Sequence, residues 1–393
     1  MKIFSEDIEE AIRFRRVLHK NPELSGEEFQ TALRIKEQLD TEGIYYEQVL
    51  ETGVLAIING AHAGATVALR ADIDALPITE DTGLSFKSET DGVMHACGHD
   101  AHTAMMMRAC KILHRNRDKI HGRVLIIFQP SEEDAPIGGA GPMIETGIFD
   151  KYRPDAIFAQ HVWPSLELGK FGVMSGPIMG NSDRILIKIQ GKGGHAAVPN
   201  EAVDPIVIAS QVISNIQTIV SRNVDPFDPT VITIGTIEGG VAANIIADSV
   251  NLRGSMRSLS EESRTTMVSR LTEVVENTAR TLGGDATVEV QSGYPATIND
   301  PSWASVLRET VIDEYGEAAA PQLRPSLAGE DFSKFLLKFP GAYYWLGMQD
   351  EVEQFPLHHP KFDVNEASFE YGINMLLKLT VNALEKLNDK SEG

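Results

Sequence analysis

Residues that bind metal ions and transfer protons are concentrated in one short stretch, residues 93–102. The stretch holds three histidines, one cysteine and one aspartate, whereas the whole chain of 393 residues has 11 histidines and 2 cysteines. Imidazole, thiolate and carboxylate groups are common ligands of divalent ions such as Zn²⁺, Mn²⁺, Co²⁺ and Ni²⁺. The stretch therefore predicts half of a metal centre, if other ligand residues converge on it.

Residues elsewhere in the chain complete a candidate ligand set. The set is Cys97, His99, Glu133, His161 and one histidine of Leu357-His358-His359-Pro360. So many ligands exceed what one tetrahedral site needs, and two ions about 3.5–4 Å apart that share a ligand fit better. Neighbouring side chains in an extended loop point apart, so only one of His358 and His359 readily faces the ions. Alone, Cys97 or His161 would more often be structural, but the set as a whole favours ligands.

Two consecutive acidic residues, Glu132 and Glu133, follow the unbroken apolar run Val124–Phe128. An acidic pair in a loop is usually only solvated, but here both carboxylates are expected at the mouth of a sheet. Metal-dependent hydrolysis needs one carboxylate as ligand and another that is free to take a proton from the attacking water. The pair could supply both, with Glu133 as ligand and Glu132 as general base.

The elements that must position these groups are apolar strands with polar ends. Val124–Phe128 predicts a strand buried on both faces, typical of a central parallel strand. A strand at 66–71 runs into Asp72 and Asp74, and a strand at 156–160 ends at His161. Sites of open α/β sheets lie at the carboxyl ends of strands, so these groups are expected to meet. A helix is expected after Asp100, with that residue as a candidate N-cap.

A different order of elements follows from about residue 183. Residues 184–292 predict the ferredoxin-like order βαββαβ, after which an α/β pattern resumes. A chain of this length usually exceeds one hydrophobic core. We therefore expect an α/β fold with a mixed-sheet main domain at 1–182 and 293–393, and an inserted α+β domain at 183–292.

Composition and charge exclude several classes of partner. The net charge of −21 would repel nucleic acid and anionic lipid, and no segment approaches the ~20 apolar residues of a membrane span. The charged N-terminus lacks the apolar stretch of a signal peptide, and two cysteines make no disulfide framework. A cytoplasmic protein that binds neither nucleic acid nor membrane is expected.

A series of motifs carries a family resemblance over nearly the whole chain. In order, they are Asp72–Pro77 (DIDALP), His95–His102 (HACGHDAH), Gln129–Glu133 (QPSEE), Gly193–Pro199 (GGHAAVP), Asn244–Asp248 (NIIAD), Gly329–Phe332 (GEDF) and Leu357–Pro360 (LHHP). The chain resembles the amidohydrolase branch of the aminoacylase/carboxypeptidase-G-type dinuclear metallopeptidases. That branch includes N-acyl-L-amino-acid amidohydrolases, hippurate hydrolases and plant indole-acetyl-amino-acid hydrolases.

The resemblance implies a role for each matching residue. Two divalent ions (Zn, Mn, Co or Ni) per subunit would be held by Cys97, His99, Glu133, His161 and His358. Glu132 matches the general base and Asp74 an acid that orients a ligand. On the inserted domain, through which subunits would pair, His195 matches a histidine that reaches a neighbouring subunit's site and stabilises the oxyanion. Asn244 and Arg257 match substrate-binding groups. The resemblance leaves two roles open for His95 and His102, a supporting one and a merely structural one.

The expected activity is hydrolysis of N-acyl-L-amino acids by a homodimer or higher homo-oligomer. A dipeptidase or oligopeptidase that takes short peptides, or an N-acetyl-diaminopimelate deacetylase, would use the same centre. A non-catalytic metal- or ligand-binding protein is the alternative from another class. That alternative predicts a missing base or ligand, whereas Glu132 and the full ligand set are present.

Overall fold

The computed structural model describes residues 1–351 and 354–391. Its helices are α1 (Ser5–Lys20), α2 (Phe29–Thr41), α3 (His99–Arg115), α4 (Ala140–Glu145), α5 (Ile148–Lys151), α6 (Pro205–Arg222), α7 (Glu261–Thr281), α8 (Pro301–Tyr315), α9 (Ser333–Leu336) and α10 (Ser368–Ser391). Its strands are β1 (Tyr46–Val49), β2 (Gly53–Asn59), β3 (His62–Asp72), β4 (His121–Gln129), β5 (Ala156–Glu167), β6 (Phe171–Gly172), β7 (Gly176–Met179), β8 (Asp183–Gln190), β9 (Gly194–His195), β10 (Thr230–Gly239), β11 (Ile245–Ile246), β12 (Ser249–Ser258), β13 (Asp285–Gln291), β14 (Thr297–Asn299) and β15 (Gly341–Gln349).

The chain forms two compact units. The first comprises Met1–Ile178, Ile298–Arg324 and Asp331–Gly393, and the second comprises Met179–Thr297 and Pro325–Glu330. The expected α/β fold class is confirmed, with a mixed sheet in the first unit. That residues 183–292 fold as a domain of their own stays a prediction. In the described ranges, no helix is long and apolar enough to cross a bilayer.

The core of the first unit is a mixed sheet with the order β1-β2-β4-β3-β5-β15-β6. The four strands β4, β3, β5 and β15 are parallel, and the flanking pairs are antiparallel. Val124–Phe128 in β4 is fully buried, as its apolar run predicts. It pairs in parallel with β3 but antiparallel with β2, so it lies at the change of strand direction.

Strand β5 is longer than the sequence predicts, and this corrects the expected position of His161. The strand continues to Glu167, so His161 lies inside it rather than at its end. The extension is stabilised by pairing with β15, in which His161 lies opposite Trp345, and by the stacked rings of Trp163 and Trp345, 4.1 Å apart. Cross-strand packing of this kind is not visible in local sequence.

Helix α3 carries much of the chemistry and is enclosed along most of its length. It contacts α1, α2, α10 and the sheet, and every side chain from His99 to Leu113 is buried. The prediction of Asp100 as N-cap is wrong, because the chain turns at Gly98 (φ +85°) and the helix begins at His99. The Asp100 carboxylate instead accepts hydrogen bonds from Arg15 Nε (2.9 Å) and His19 Nδ1 (2.8 Å).

The second unit has the expected element order βαββαβ. Its antiparallel sheet has the order β10-β12-β8-β13, and α6 and α7 pack against the sheet. Alternation in β8 buries Ile185, Ile187 and Ile189 toward these helices. The helices begin at side-chain caps, since Asp204 accepts from the Ile206 N–H and Ser260 from the Ser263 N–H. Strand β10 is left at the edge of the sheet.

Candidate metal centre

The first unit brings the proposed ligand residues into overlapping groups. The ligand atoms of Cys97, His99 and His161 all lie within 4.8 Å of one another. Those of Cys97, Glu133 and His358 do so as well, and the two groups share Cys97. The ligand atoms of His99 and Glu133 also lie within this distance of a Glu132 carboxylate oxygen. Two triads that share one thiol have the layout that a pair of bridged ions needs.

Each ligand histidine from the sheet and α3 directs its Nε2 atom into this cluster. The Nδ1–H of His161 donates to the Val162 carbonyl (2.7 Å), and that of His99 donates to Asp74, to the carbonyl (3.0 Å) and Oδ1 (3.1 Å). These oxygens accept only, so in the neutral ring Nδ1 carries the proton and Nε2 keeps its lone pair. His161 Nε2 lies 3.4 Å from Cys97 Sγ.

Two buried atoms of the cluster have no hydrogen-bond partner among the described residues. They are His99 Nε2 and Glu133 Oε1, although the latter lies 3.1 Å from His358 Nε2. Buried polar atoms are normally satisfied, and an orphan needs an explanation. A divalent ion would satisfy both, and the donors (thiolate, imidazoles, carboxylate) fit Zn²⁺, Mn²⁺, Co²⁺ or Ni²⁺.

The two histidines of the Leu357–Pro360 loop have different environments. His358 adopts φ +64° and donates its backbone N–H to the Ala96 carbonyl (2.8 Å), beside Cys97. The His359 ring stacks on Phe355, and its Nδ1 accepts from the Lys361 N–H (3.1 Å). Only His358 is therefore directed at the cluster.

Asp74 and Glu132 lie beside these groups. The buried Asp74 carboxylate accepts from His99 Nδ1, Ser25 Oγ (2.7 Å) and the Glu133 N–H (2.9 Å), so it holds two of the groups at once. Burial alone would raise the Asp74 pKa, but hydrogen bonding and the charge of His99 bring it below its usual value. Glu132 is 6% exposed, and its Oε1 lies 3.4 Å from the Asp331 N–H.

Burial and neighbouring charge perturb the titration of the cluster. Burial, followed by the charges of Glu133 and Glu132, raises the pKa of the Cys97 thiol well above its usual value. Burial opposes the protonation of His99, but Asp72 and Asp74 raise its pKa to about 10. Burial and the neighbouring His102 lower the pKa of His161. Without a metal, Cys97 and His99 therefore hold protons at neutral pH.

His95 and His102, the two remaining histidines of residues 93–102, have different environments. His102 uses both ring nitrogens, since Nδ1 donates to Asp72 Oδ1 (2.6 Å) and Nε2 accepts from the Val162 N–H (2.9 Å). His95 is buried, has no hydrogen-bond partner at either ring nitrogen within the described part of the chain, and has its pKa lowered by burial to about 4. Neither shares a ligand cluster with Cys97.

The remaining predicted site residues lie in the second unit. His195 on β9 pairs with Ile245 on β11, which brings His195 next to Asn244. The His195 ring is exposed and its Nδ1 accepts from the Ala197 N–H (3.1 Å), so the neutral ring carries its proton on Nε2. Arg257 lies on β12, partly buried, and burial lowers its pKa. The structure thus places His195 and Asn244 side by side.

Sequence reasoning did not predict a hydrogen-bonded group of buried polar and charged side chains next to Glu132. These are Arg70, Asp72, Gln129 and Asp331, joined by hydrogen bonds within the first unit. Two signals could have found them. Arg70 is a charged residue inside an apolar strand, and Asp331 belongs to the GEDF motif.

The chain is similar to known proteins over most of its length. Residues 68–382 match Peptidase family M20/M25/M40. Thermostable carboxypeptidase 1 of Saccharolobus solfataricus is 40% identical over 366 residues, 92% of each chain. N-acetyl-L-cysteine deacetylase of Bacillus subtilis is 40% identical over 358 residues, 91% of this chain and 84% of the relative. The crystal structure of YxeP from Bacillus subtilis, a dinuclear metal-binding peptidase of the M20 family, superposes with a TM-score of 0.84 at 34% identity, covering 97% of this chain and 99% of that one.

Proposed function

The chain belongs to peptidase family M20/M25/M40 and is a metal-dependent amide hydrolase; from this premise we propose that it cleaves N-acyl-L-amino acids. One observation carries the proposal: a nearly buried carboxylate, Glu132, lies beside two ligand triads that share Cys97. Such an arrangement serves hydrolysis by an activated water. The deacetylase relative supports an acyl-amino-acid substrate.

Cys97, His99, His161, Glu133 and His358 would hold the metal ions, and Cys97 belongs to both triads. When bound, the ions would polarise the scissile carbonyl and acidify the attacking water. Mixed sulfur, nitrogen and oxygen donors favour Zn, Mn, Co or Ni. Both cysteines are free, as is usual in proteins of reducing compartments, which supports a cytoplasmic location.

The protein's own groups then move protons and hold the substrate. Glu132 accepts a proton from the attacking water at its carboxylate and delivers it to the leaving amine. Asp74 keeps His99 in the tautomer that presents Nε2. His195, with its proton on Nε2, donates to the tetrahedral oxyanion, a contact typically worth on the order of 3 kcal/mol. Arg257 and Asn244 bind the substrate carboxylate.

An apolar cavity of about 390 Å³ in the first unit supports an acyl group larger than acetyl. Its lining includes Trp163, Pro356 and Leu357, the last being the neighbour of His358. The Trp163 ring centre is 6.3 Å from that of His161, so the cavity wall adjoins the cluster. We propose that this cavity receives the acyl chain.

A substrate panel tests this assignment. N-benzoyl and long-chain N-acyl amino acids are expected to have higher kcat/KM than N-acetyl-methionine, N-acetyl-diaminopimelate or a dipeptide. Trp163→Ala should remove at least ~10-fold of that preference, since burying a side chain of this size contributes about 1.5–3 kcal/mol. The exposed Phe227→Ala is the control. A dipeptide hydrolysed best would favour the peptidase alternative, which the carboxypeptidase relative supports.

Edge strand β10 supports a dimer formed through the second unit. Val231 and Ile237 on this strand are 40% and 55% exposed. Exposed apolar residues on an unpaired edge favour pairing with another chain. We propose that two copies pair along β10 and that His195 serves the partner's site.

Mixed dimers test the exchange of His195. Glu132→Ala and His195→Ala should each be nearly inactive, yet together regain up to roughly one quarter of wild-type activity, because half of the dimers are mixed and one of their two sites is intact. Mixing Glu132→Ala with the double variant Glu132→Ala/His195→Ala is the control, since no intact site can form. Absence of recovery after verified subunit exchange would mean that each site is completed within one chain.

A further inference from the structure

We infer that Asp331 is a positioning residue whose buried carboxylate closes the loop that carries Glu132 and Glu133. The inference rests on the proposed role of Glu132 as general base. Asp331 belongs to the GEDF motif, for which the proposed mechanism has no use, and it is completely buried. It lies in the first unit with all of its partners named below.

The Asp331 carboxylate binds both ends of this loop. At the start, Gln129 Nε2 at the end of β4 donates to both carboxylate oxygens (2.9 and 2.8 Å). At the other end, the N–H groups of Gly139 and Ala140, where α4 begins, donate to Oδ2 (2.9 Å each). The two ends of the loop are in close contact. A Cβ atom added to Gly139 would lie only 1.8 Å from the Pro130 carbonyl oxygen. One carboxylate therefore closes the loop that contains Glu132 and Glu133.

The backbone of Asp331 contacts the base itself. Its N–H lies 3.4 Å from Glu132 Oε1. Residue 331 thus fixes the ends of the loop with its side chain and the Glu132 carboxylate with its main chain. A shift of Asp331 would move the loop and the base together, and misplacement by about 1 Å can cost on the order of 100-fold in rate.

Arg70 anchors Asp331 to the sheet. This buried guanidinium donates to Asp331 Oδ1 (2.8 Å), to Asp72 Oδ2 (2.6 Å) and to Gln129 Oε1 (2.8 Å). The planar fork of arginine suits such simultaneous contacts, and its single positive charge offsets part of the negative charge of the two buried carboxylates. Arg70 therefore fixes the loop that carries Glu132 and Glu133 relative to β3 and β4, the most buried part of the unit.

Asp331→Asn tests the inference with little change in shape. We expect kcat to fall on the order of 10- to 100-fold, with unchanged metal content and little change in KM. Asp300→Asn is the matched control: Asp300 also accepts two backbone N–H groups, at the start of α8, so only its melting temperature should fall.

A double-variant cycle separates positioning from mere stabilisation. If Asp331 acts through Glu132, then Asp331→Asn should cost less than about 3-fold in a Glu132→Gln background. A full additional loss there, or an unchanged kcat for the single variant, would overturn the inference. If Asp331→Asn does not fold, Gln129→Met, which removes one loop-end contact, should show the same pattern more weakly, and an unchanged kcat would overturn it. A normal rate for Glu132→Gln would instead overturn the proposed function.

Discussion

Replacing Glu132 with glutamine is expected to lower kcat by on the order of 10²- to 10⁴-fold while both metal sites stay filled. The amide keeps the size and hydrogen-bonding reach of the side chain but cannot take a proton from water at neutral pH. Glu132 is not among the assigned ligands, so metal content should match that of the wild type. Steady-state kinetics with elemental analysis of the same sample measures both quantities.

The control for this variant is Glu145→Gln, which neutralises an exposed carboxylate at the end of α4. It should leave both kcat and metal content unchanged. A Glu132→Gln enzyme with a full metal complement and a near-normal rate would show that another group acts as the base. Loss of metal along with activity would instead make Glu132 a ligand.

Metal removal is expected to abolish hydrolysis, and the affinity for added metal should rise steeply with pH. Cys97 and His99, whose pKa values are raised, the latter to about 10, must each lose a proton before they can bind an ion. Near neutral pH the logarithm of the association constant should therefore increase by about two per pH unit for these two ligands. Competition with a chelating indicator between pH 6 and roughly 8 measures this slope.

Stability should follow the same linkage. Because the His99 pKa is raised on folding, its contribution to the metal-free protein is complete below pH 6.5 and is lost as pH rises toward about 10. The rise in melting temperature on adding metal should therefore grow with pH.

Cys97→Ser should reduce the slope of the plot of log affinity against pH by about one, because one fewer proton is displaced. An affinity independent of pH would contradict the assignment of both ligands.

The orientation of the two histidines in the Leu357–Pro360 loop could not be predicted from local sequence. Sequence alone indicates that one of His358 and His359 faces the ions, because neighbouring side chains in an extended loop diverge. Which one does so depends on the φ of +64° at His358 and on its hydrogen bond to the Ala96 carbonyl, a contact between distant parts of the chain. His102 is similar, since its partners Asp72 and Val162 come from two different strands.

Ligand chemistry and element order were determined by the sequence itself, because residue type and hydrophobic periodicity are local properties. The cysteine, histidines and paired glutamates predicted a metal centre, and the apolar alternation predicted βαββαβ in residues 184–292. Only the tertiary structure decided that β5 continues past His161, that Asp100 pairs with Arg15, and that Asp331 holds the loop of Glu132. Each of these depends on partners distant in sequence, because a buried charge or strand edge takes whichever partner the fold brings to it.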